Sequence, residues 1–301
     1  MNGYRYTIRP LGPWATPWHA DTLWGSLCWA WRELAGERAL EKLLDSYHAG
    51  APPFVISDAF PGDLIPCPIG ARHVRRENEK SKALFCLAKD FNSWSSGSPA
   101  ELNVSSEIQR PFQTTSLLHA QRSRLTDSTE GGQLFETDQY TFHKSVFPSE
   151  QERVFSIYVR AEDTVLAPLR SCWEALSWRG FGARSSRGEG SFELVGKETR
   201  CDWLDINDSH NGFLSLSHFV PAEDDPHDGY WRIHAKNPKF AGERVPLPFK
   251  GNLITLTPGS RFRTTGKPRP FYGRMLQMKR PGLEKALHYG LALAAPLRWE
   301  Q

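Results

Sequence analysis

The segment from residue 180 to residue 192, GFGARSSRGEGSF, concentrates the residue types best suited to hold a phosphodiester backbone. Glycines adopt positive φ without strain and leave backbone N–H groups uncovered. The four glycines of this segment are Gly180, Gly182, Gly188 and Gly190. Cationic and hydroxyl side chains add hydrogen-bond donors, and here they are Arg184, Ser185, Ser186 and Arg187. The segment therefore predicts a phosphate-binding loop, with an ordinary surface turn as the alternative.

Two nucleotide-cofactor motifs fail to describe this glycine-rich loop (residues 180–190). The GxxxxGK[ST] pattern of P-loop proteins does not occur in the sequence. A dinucleotide-binding loop leads from a strand into a helix, whereas this loop leads from a predicted helix into a predicted strand. We therefore predict no nucleotide cofactor.

A second candidate position lies directly before the first predicted helix, whose N-terminal N–H groups and dipole favour anions. Asp21 or Thr22 is the predicted N-cap, and capping explains Asp21 completely. His19 can contact a phosphate or stack on a base. A buried structural histidine is the alternative.

A third candidate lies in a polar segment of residues from about 104 to 143, whose far end alternates as a strand does. We predict a protruding β-arm there, with Gly131 and Gly132 in a hairpin-like turn or bulge. Arg122 and Arg124 then share one face of a strand, which suits a nucleic-acid contact. A solvated pair of arginines is the alternative.

Charge is mild overall and uneven along the chain. The net charge of +3 and the isoelectric point near 8.6 do not by themselves indicate a nucleic-acid binder. Residues 261–285 hold eight Lys/Arg against one acid, and residues 198–228 hold eight acids against one arginine. These two runs predict one face that suits phosphate and another that suits a basic protein neighbour, unless both are simply solvated.

The cysteines are five in number, scattered, and form no CxxC pair. They predict neither a disulfide framework nor a zinc site, so no metal is expected, and the pattern fits a reducing cytoplasm. No signal peptide is seen, and no apolar run is long enough to cross a bilayer.

The periodicity of the chain predicts an α+β protein of two parts, as its 301 residues suggest. We predict a strand over 2–9, a helix ending at Gly36, a helix over 38–48, a strand over 154–161, a helix from about Ala167 to Gly180, and a strand at SFELVG. With the β-arm inserted, this is the βαββαβ plan of a ferredoxin-like or RRM-like domain, residues 1–197. Residues 198–301 predict a smaller, β-rich domain.

The chain resembles the RAMP superfamily of CRISPR proteins, whose members carry a glycine-rich loop at this position. It is more particularly similar to the family of the fourth Csm subunit of type III-A effector complexes. The resemblance rests on five segments in order: HADTLWG (19–25), FVISDAFPGDLIPCP (54–68), HAQRSRLTDSTEGGQLFE (119–136), the glycine-rich loop, and LTPGSRF (256–262). Glu189 departs from the pattern, because it places an acid within the predicted phosphate site. The resemblance also implies that the C-terminal domain is a degenerate ferredoxin-like unit.

The resemblance implies a non-catalytic subunit that binds the 5′ handle of crRNA in antiviral defence. It implies two protein partners, the large polymerase-like subunit and the repeated backbone subunit, and no membrane. The RNA-binding residues would be His19, Arg122, Arg124 and seven residues of the glycine-rich loop: Gly180, Gly182, Arg184, Ser185, Ser186, Arg187 and Gly188.

Two other functions stay open. A RAMP endoribonuclease that processes precursor crRNA needs a histidine as general base and a nearby cation. His19, His119, His143 and Lys144 supply such residues. A protein-interaction scaffold without RNA contact would instead use the acidic run 198–228.

Overall fold

The computed structural model describes residues 1–71, 74–76, 84–96, 102–104, 109–122, 129–240, 249–278 and 286–299. It is a mixed α and β structure, as predicted. The helices of these ranges are α1 Ala20–Ala35, α2 Glu37–His48, α3 Ala88–Ser95 and α4 Asp163–Arg179. None of the described helices is long and apolar enough to cross a membrane.

The strands alternate with these helices in the first part of the chain and dominate the rest. Those before residue 201 are β1 Asn2–Pro10, β2 Phe54–Pro61, β3 Leu64–Pro66, β4 Val74–Arg76, β5 Phe85–Leu87, β6 Leu102–Val104, β7 Phe112–Arg122, β8 Thr129–Phe142, β9 Phe155–Ala161, β10 Phe192–Leu194 and β11 Thr199–Arg200. Those after it are β12 Gly212–Ser215, β13 Gly229–Tyr230, β14 Ile233–Lys236, β15 Leu253–Leu256, β16 Arg261–Arg263, β17 Phe271–Gly273, β18 Leu276–Gln277, β19 Leu287–His288 and β20 Leu291–Leu297.

The first sheet has the strand order β10–β1–β9–β2, with every neighbouring pair antiparallel. Helices α1 and α2 connect β1 to β2, and α4 connects β9 to β10. The apolar stripe predicted for α4 is confirmed, because Leu169, Cys172, Trp173 and Leu176 are all buried. The predicted strands and the two stops at Gly36 and Gly180 are confirmed as well.

The start predicted for α4 is wrong by four residues, because the helix begins at Asp163 and not near Ala167. Pro168 would stand in the first turn, where proline is common, if the helix began near Ala167. It lies inside the helix instead. The extra turn is anchored on β1, where the Asp163 carboxylate accepts hydrogen bonds from Asn2 Nδ2 (3.0 Å) and the Tyr4 hydroxyl (2.7 Å).

A β-bulge interrupts β2 at Ser57 and Asp58. Ile56 lies opposite Val159 and Ala59 lies opposite Ile157, so β2 holds one extra residue. A bulge turns a side chain out of the regular alternation. Here it frees the N–H of Asp58 to bond the carbonyl of Leu216 (2.9 Å), in the C-terminal part of the chain.

The β-arm predicted over 104–143 is confirmed as the antiparallel pair β7–β8. The register shifts between Ala120 and Arg122, and Gly131 and Gly132 lie in β8 opposite this irregularity. These glycines therefore belong to the bulge. At its base the arm pairs with the chain before α1, where the Trp14 N–H bonds the Tyr140 carbonyl (3.1 Å).

The C-terminal part is β-rich, as predicted, and holds a sheet of order β13–β16–β12–β20–β17. It shares one hydrophobic core with the first sheet, since buried Leu214, Tyr289 and Leu293 belong to the same cluster as Tyr6 and Trp173. The Tyr289 hydroxyl accepts a hydrogen bond from the Ile56 N–H (2.9 Å) and donates one to the Ile56 carbonyl (3.2 Å), which links the C-terminal part to β2. The division at residue 198 stays a prediction. All five cysteines are buried and form no disulfide.

Candidate nucleic-acid interface

The two ends of the glycine-rich loop are fixed against the chain that precedes α1. The Phe181 N–H bonds the Gly190 carbonyl, and the Gly190 N–H bonds the Pro13 carbonyl, each at 2.9 Å. Phe181 is fully buried and its ring stacks on Trp18 with centroids 4.2 Å apart. Gly190 has φ +72°, and a Cβ there would lie 2.0 Å from the Phe181 carbonyl oxygen. The loop is thus a packed element.

Most N–H groups of the loop are satisfied inside the protein, which differs from the uncovered donors expected of its glycines. Six N–H groups donate to carbonyl or hydroxyl oxygens; they are those of Gly180, Phe181, Ala183, Arg187, Gly188 and Gly190. The Ala183 N–H, for example, donates to Thr16 Oγ1 (2.8 Å). The side chains, more than the backbone, are therefore what the loop offers a ligand.

Arg184 connects the loop to the β-arm in addition to carrying a positive charge. It has φ +61°, and it is the one non-glycine residue with positive φ in the described ranges. Its Nε lies 2.7 Å from Glu189 Oε1, and its Nη2 donates to the Asp138 carbonyl on β8 (2.8 Å). Glu189 is buried at 7% exposure. The acid that seemed out of place in a phosphate site instead pairs with the loop's own arginine.

The short 3-10 turn Ser185–Arg187 and the glycine after it form the exposed part of the loop. Ser186, Arg187 and Gly188 are exposed, and Ser185 is half-buried. The side chain of Arg187 has no hydrogen-bond or ion-pair partner among the described residues. It is the guanidinium of the loop that is available to a phosphate.

The N-cap of α1 is His19, so the predicted cap at Asp21 or Thr22 is wrong. His19 has extended φ and ψ, and no side chain of its own segment caps the helix. The capping carboxylate comes from the bulge of β2, because the Ala20 N–H donates to Asp58 Oδ1 (2.9 Å). Burial lowers the pKa of His19 to about 4, so its imidazole is neutral at physiological pH.

Asp21 points from the first turn of α1 toward the C-terminal part. Its Oδ2 lies 2.5 Å from Lys236 Nζ and 3.4 Å from His288 Nε2. Burial opposes its ionisation, but the nearby charges of Lys236 and His288 outweigh that effect and lower its pKa. Asp21 therefore ties α1 to β14.

A cleft of about 1110 Å³ lies between α1, the glycine-rich loop and the β14–β15 pair. Gly180, Gly182 and Ser185 of the glycine-rich loop line this cleft together with His19. The lining also holds Lys236, Lys239 and Lys250 of the C-terminal part. Sequence reasoning missed these lysines, because they are isolated cations in a stretch without a motif. Burial lowers the pKa of Lys250, whose Nζ lies 5.4 Å from the centroid of Phe240.

The arginines predicted on the β-arm are not brought to this cleft by any described contact. Arg122 is the last residue of β7 and pairs with Thr129. The arm meets the glycine-rich loop at Asp138, opposite Ser116. At about 3.3 Å per residue, Arg122 lies roughly 20 Å along the strand from that contact. Arg124 lies outside the described residues.

Part of the acidic run 198–228 pairs with part of the basic run 261–285, whereas two separate faces were predicted. Arg269 bonds Asp224 (2.9 Å) and Asp225 (2.7 Å), and Lys267 bonds Asp208 (3.1 Å). Asp205 pairs with Arg200 inside the acidic run. Neither run therefore offers its full formal charge to a partner.

No protein-family model and no curated protein matches the sequence. Solved structures do match it over nearly its whole length. A chain of a Csm1–Csm4 cassette in complex with AMPPNP is 19% identical and superposes with a TM-score of 0.61, covering 99% of both chains. A chain of a Csm3–Csm4 subcomplex from a type III-A CRISPR–Cas interference complex is 15% identical, with a TM-score of 0.63 over 99% of this chain and 100% of that one.

This protein has the fold of those CRISPR-complex chains. The resemblance drawn from the sequence motifs is therefore confirmed at the level of the fold. The motifs that carried it also meet in space. Asp58, in the segment FVISDAFPGDLIPCP, caps α1, which begins within the segment HADTLWG. The Gly259 carbonyl of LTPGSRF accepts the N–H of Ile69 (2.9 Å), the residue directly after FVISDAFPGDLIPCP.

Proposed function

We propose that this chain is a non-catalytic crRNA-binding subunit of a type III-A CRISPR effector complex, and that it acts in the cytoplasm. It grips the 5′ handle of crRNA and bridges the large polymerase-like subunit and the backbone subunits. The observation that carries this proposal is the cleft that the glycine-rich loop lines together with three lysines. The fold shared with chains of Csm1–Csm4 and Csm3–Csm4 assemblies supports it.

The fold supports the finer architecture in this proposal. A sheet of order β10–β1–β9–β2, with helices in both β–β crossovers, has the arrangement of a ferredoxin-like domain. We assign residues 1–197, with the arm, to that domain. Residues 198–301 form the β-rich, degenerate ferredoxin-like domain.

The chemistry of the cleft suits a single RNA strand. Lysines of the cleft attract phosphates without reading sequence, and the exposed guanidinium of Arg187, which belongs to the glycine-rich loop but not to the cleft lining, can fork onto phosphate oxygens. His19 also lines the cleft and, being neutral, can stack on a base or hydrogen-bond to it. The exposed hydroxyl of Ser186 adds a donor for a phosphate or a ribose.

Labelled repeat-containing RNA incubated with the purified chain tests this function. The variants are Arg187→Ala and Arg184→Ala/Arg187→Ala, and the matched control is Arg263→Ala, an exposed arginine on β16 away from the cleft. We expect binding without cutting, affinity lowered by the loop variants and unchanged by the control. Loss of phosphate contacts should also flatten the salt dependence.

Two outcomes would replace this function with another. Metal-independent cutting within the repeat would make the chain a processing nuclease, and His19 and His119 would be replaced next. Affinity and salt dependence unchanged in the double variant would favour a scaffold that does not contact RNA through this loop.

A further inference from the structure

Three imidazole rings and a carboxylate meet where α1 begins, β2 bulges and the C-terminal part crosses over the first sheet. The ring centroids of His19 and His218 lie 4.1 Å apart, and those of His218 and His234 lie 4.9 Å apart. His19, Asp58 and His218 each offer one ligand atom within 4.8 Å of the others. His19 and Asp58 come from the N-terminal part, and both other histidines come from the C-terminal part.

Asp58 orients His218 in the way that carboxylates orient metal-binding histidines. Its Oδ2 lies 2.5 Å from His218 Nδ1, and its Oδ1 accepts the N–H groups of Ala20 (2.9 Å) and His218 (3.2 Å). Burial opposes the ionisation of Asp58, but the charge and hydrogen bond of His218 hold its pKa well below the usual range. When Nδ1 donates to the carboxylate, Nε2 of His218 carries the lone pair.

The other two rings have nitrogens without partners. No described residue hydrogen-bonds to either ring nitrogen of His19. The Nδ1 of His234 is buried without a hydrogen-bond partner among the described residues. The nitrogens of His19 are therefore available to a ligand. The unsatisfied Nδ1 of His234, a ring that lies beside the three-residue cluster, raises the free energy of the folded state.

The site is also reachable. His19, Asp58 and His218 line a cavity of about 410 Å³, and the exposed residues Leu84 and Arg232 line the same cavity. An ion can therefore enter from solvent without unfolding the chain.

We propose that His19 and His218, supported by Asp58, bind one divalent transition-metal ion, and that this ion joins the N-terminal and C-terminal parts of the chain. Imidazole nitrogens, one of them on a ring held by a carboxylate, suit Zn²⁺, and also Co²⁺ and Ni²⁺, whereas Mg²⁺ and Ca²⁺ prefer sets of oxygen ligands. The site shares His19 with the cleft but uses none of the cleft lysines. The inference goes beyond RNA binding and does not depend on it.

Metal binding is measured on the full chain after treatment with a chelator. ZnCl₂ is titrated by calorimetry, and CoCl₂ is followed by its visible absorption, which reports coordination geometry directly. We expect one ion per chain in a site that includes His19 and His218, and a higher melting temperature with Zn²⁺. His19→Ala should weaken that site more than about 100-fold, and Asp58→Asn about 10- to 100-fold, because the carboxylate acts through His218.

The control is His227→Ala, since His227 is exposed and lies outside the cluster. It should bind Zn²⁺ as the wild type does. We expect His19→Ala to fold, because the His19 side chain makes no hydrogen bond in the described structure. It therefore tests metal binding even if His218→Ala does not fold. Absence of saturable Zn²⁺ or Co²⁺ binding to the wild type, or equal affinity in His19→Ala, would overturn the proposal. RNA affinity of the wild type and of Arg187→Ala, measured in the same buffers, reports on the proposed function separately, because Arg187 is not part of the metal site.

Discussion

Arg184 donates a hydrogen bond of 2.8 Å to the backbone carbonyl of Asp138 and thereby holds the glycine-rich loop against the β-arm. The same guanidinium pairs with Glu189, which is nearly inaccessible. Because Arg184 sits in the left-handed region at φ +61°, these two contacts also hold a strained backbone in place. The glycine-rich loop, the β-arm and Glu189 are therefore held together by Arg184, whereas the side chain of Arg187 stays available to a ligand.

Glu189→Gln should destabilise the protein by about 1–3 kcal/mol, because Arg184 loses the anion that compensates its partly buried charge. It should also raise amide exchange at residues 136–140 of the arm. Chemical denaturation and hydrogen exchange measure both effects. The matched control is Glu193→Gln, which removes the more exposed pair with Arg9 (2.5 Å) and should cost less than about 1 kcal/mol. Equal effects of the two variants would show that the Glu189 pair is an ordinary surface contact.

Gly190→Ala should abolish the native loop, because its Cβ would meet the Phe181 carbonyl oxygen at 2.0 Å. Gly188 provides the comparison. It has φ +87° but open space around its Cβ position, so Gly188→Ala should cost only about 1 kcal/mol. Thermal unfolding followed by circular dichroism separates the two. Similar melting temperatures would mean that the loop does not pack on residues 13 and 181 as described.

Lys236→Met should destabilise the protein by about 3 kcal/mol, since it leaves the buried Asp21 carboxylate without its cation. Asp21→Asn removes the stranded charge, so the double variant should be more stable than Lys236→Met alone. Denaturation of the four proteins in a double-mutant cycle gives the coupling. Additive effects would exclude a direct interaction between the two side chains.

Lys239→Ala should weaken the binding of repeat RNA and reduce the slope of log affinity against log salt by about 0.7, the value for one phosphate contact on a single strand. Lys239 lines the cleft and is exposed, so folding should be unaffected. Lys144→Ala is the control, because Lys144 is an exposed lysine near the base of the arm and does not line the cleft. An equal loss in both variants would indicate attraction by net charge alone.

Local patterns predicted the order of elements well, because periodicity and glycine stops are properties of short segments. β1, α2, β9 and the ends of α1 and α4 all follow from them. The start of α1 did not, because its capping carboxylate, Asp58, lies 38 residues away from Ala20. A cap supplied from another strand leaves no signal in the helix sequence.

For the same reason, the sequence predicted the glycine-rich loop of the candidate site but not its lysines. The glycine-rich loop is one contiguous segment and could be recognised. The three cleft lysines lie on or between β14 and β15, far from the loop in sequence, and only the fold brings them to the same cleft. Glu189 did give a signal, an acid among cations. Its meaning required the position of Arg184, which pairs with it.

The bond between Tyr289 and Ile56 joins residues that are 233 positions apart in the chain. β2 is the edge strand of the first sheet, and an edge strand whose N–H and C=O groups are unpaired can recruit other chains. During synthesis this edge stays unpaired until Tyr289 and Ser217 have emerged. The Ser217 hydroxyl also donates to the Ile56 carbonyl (2.9 Å). Ribosome-bound chains therefore carry an unfinished sheet until residue 289 has emerged, and during that interval the open edge of β2 favours aggregation of nascent chains.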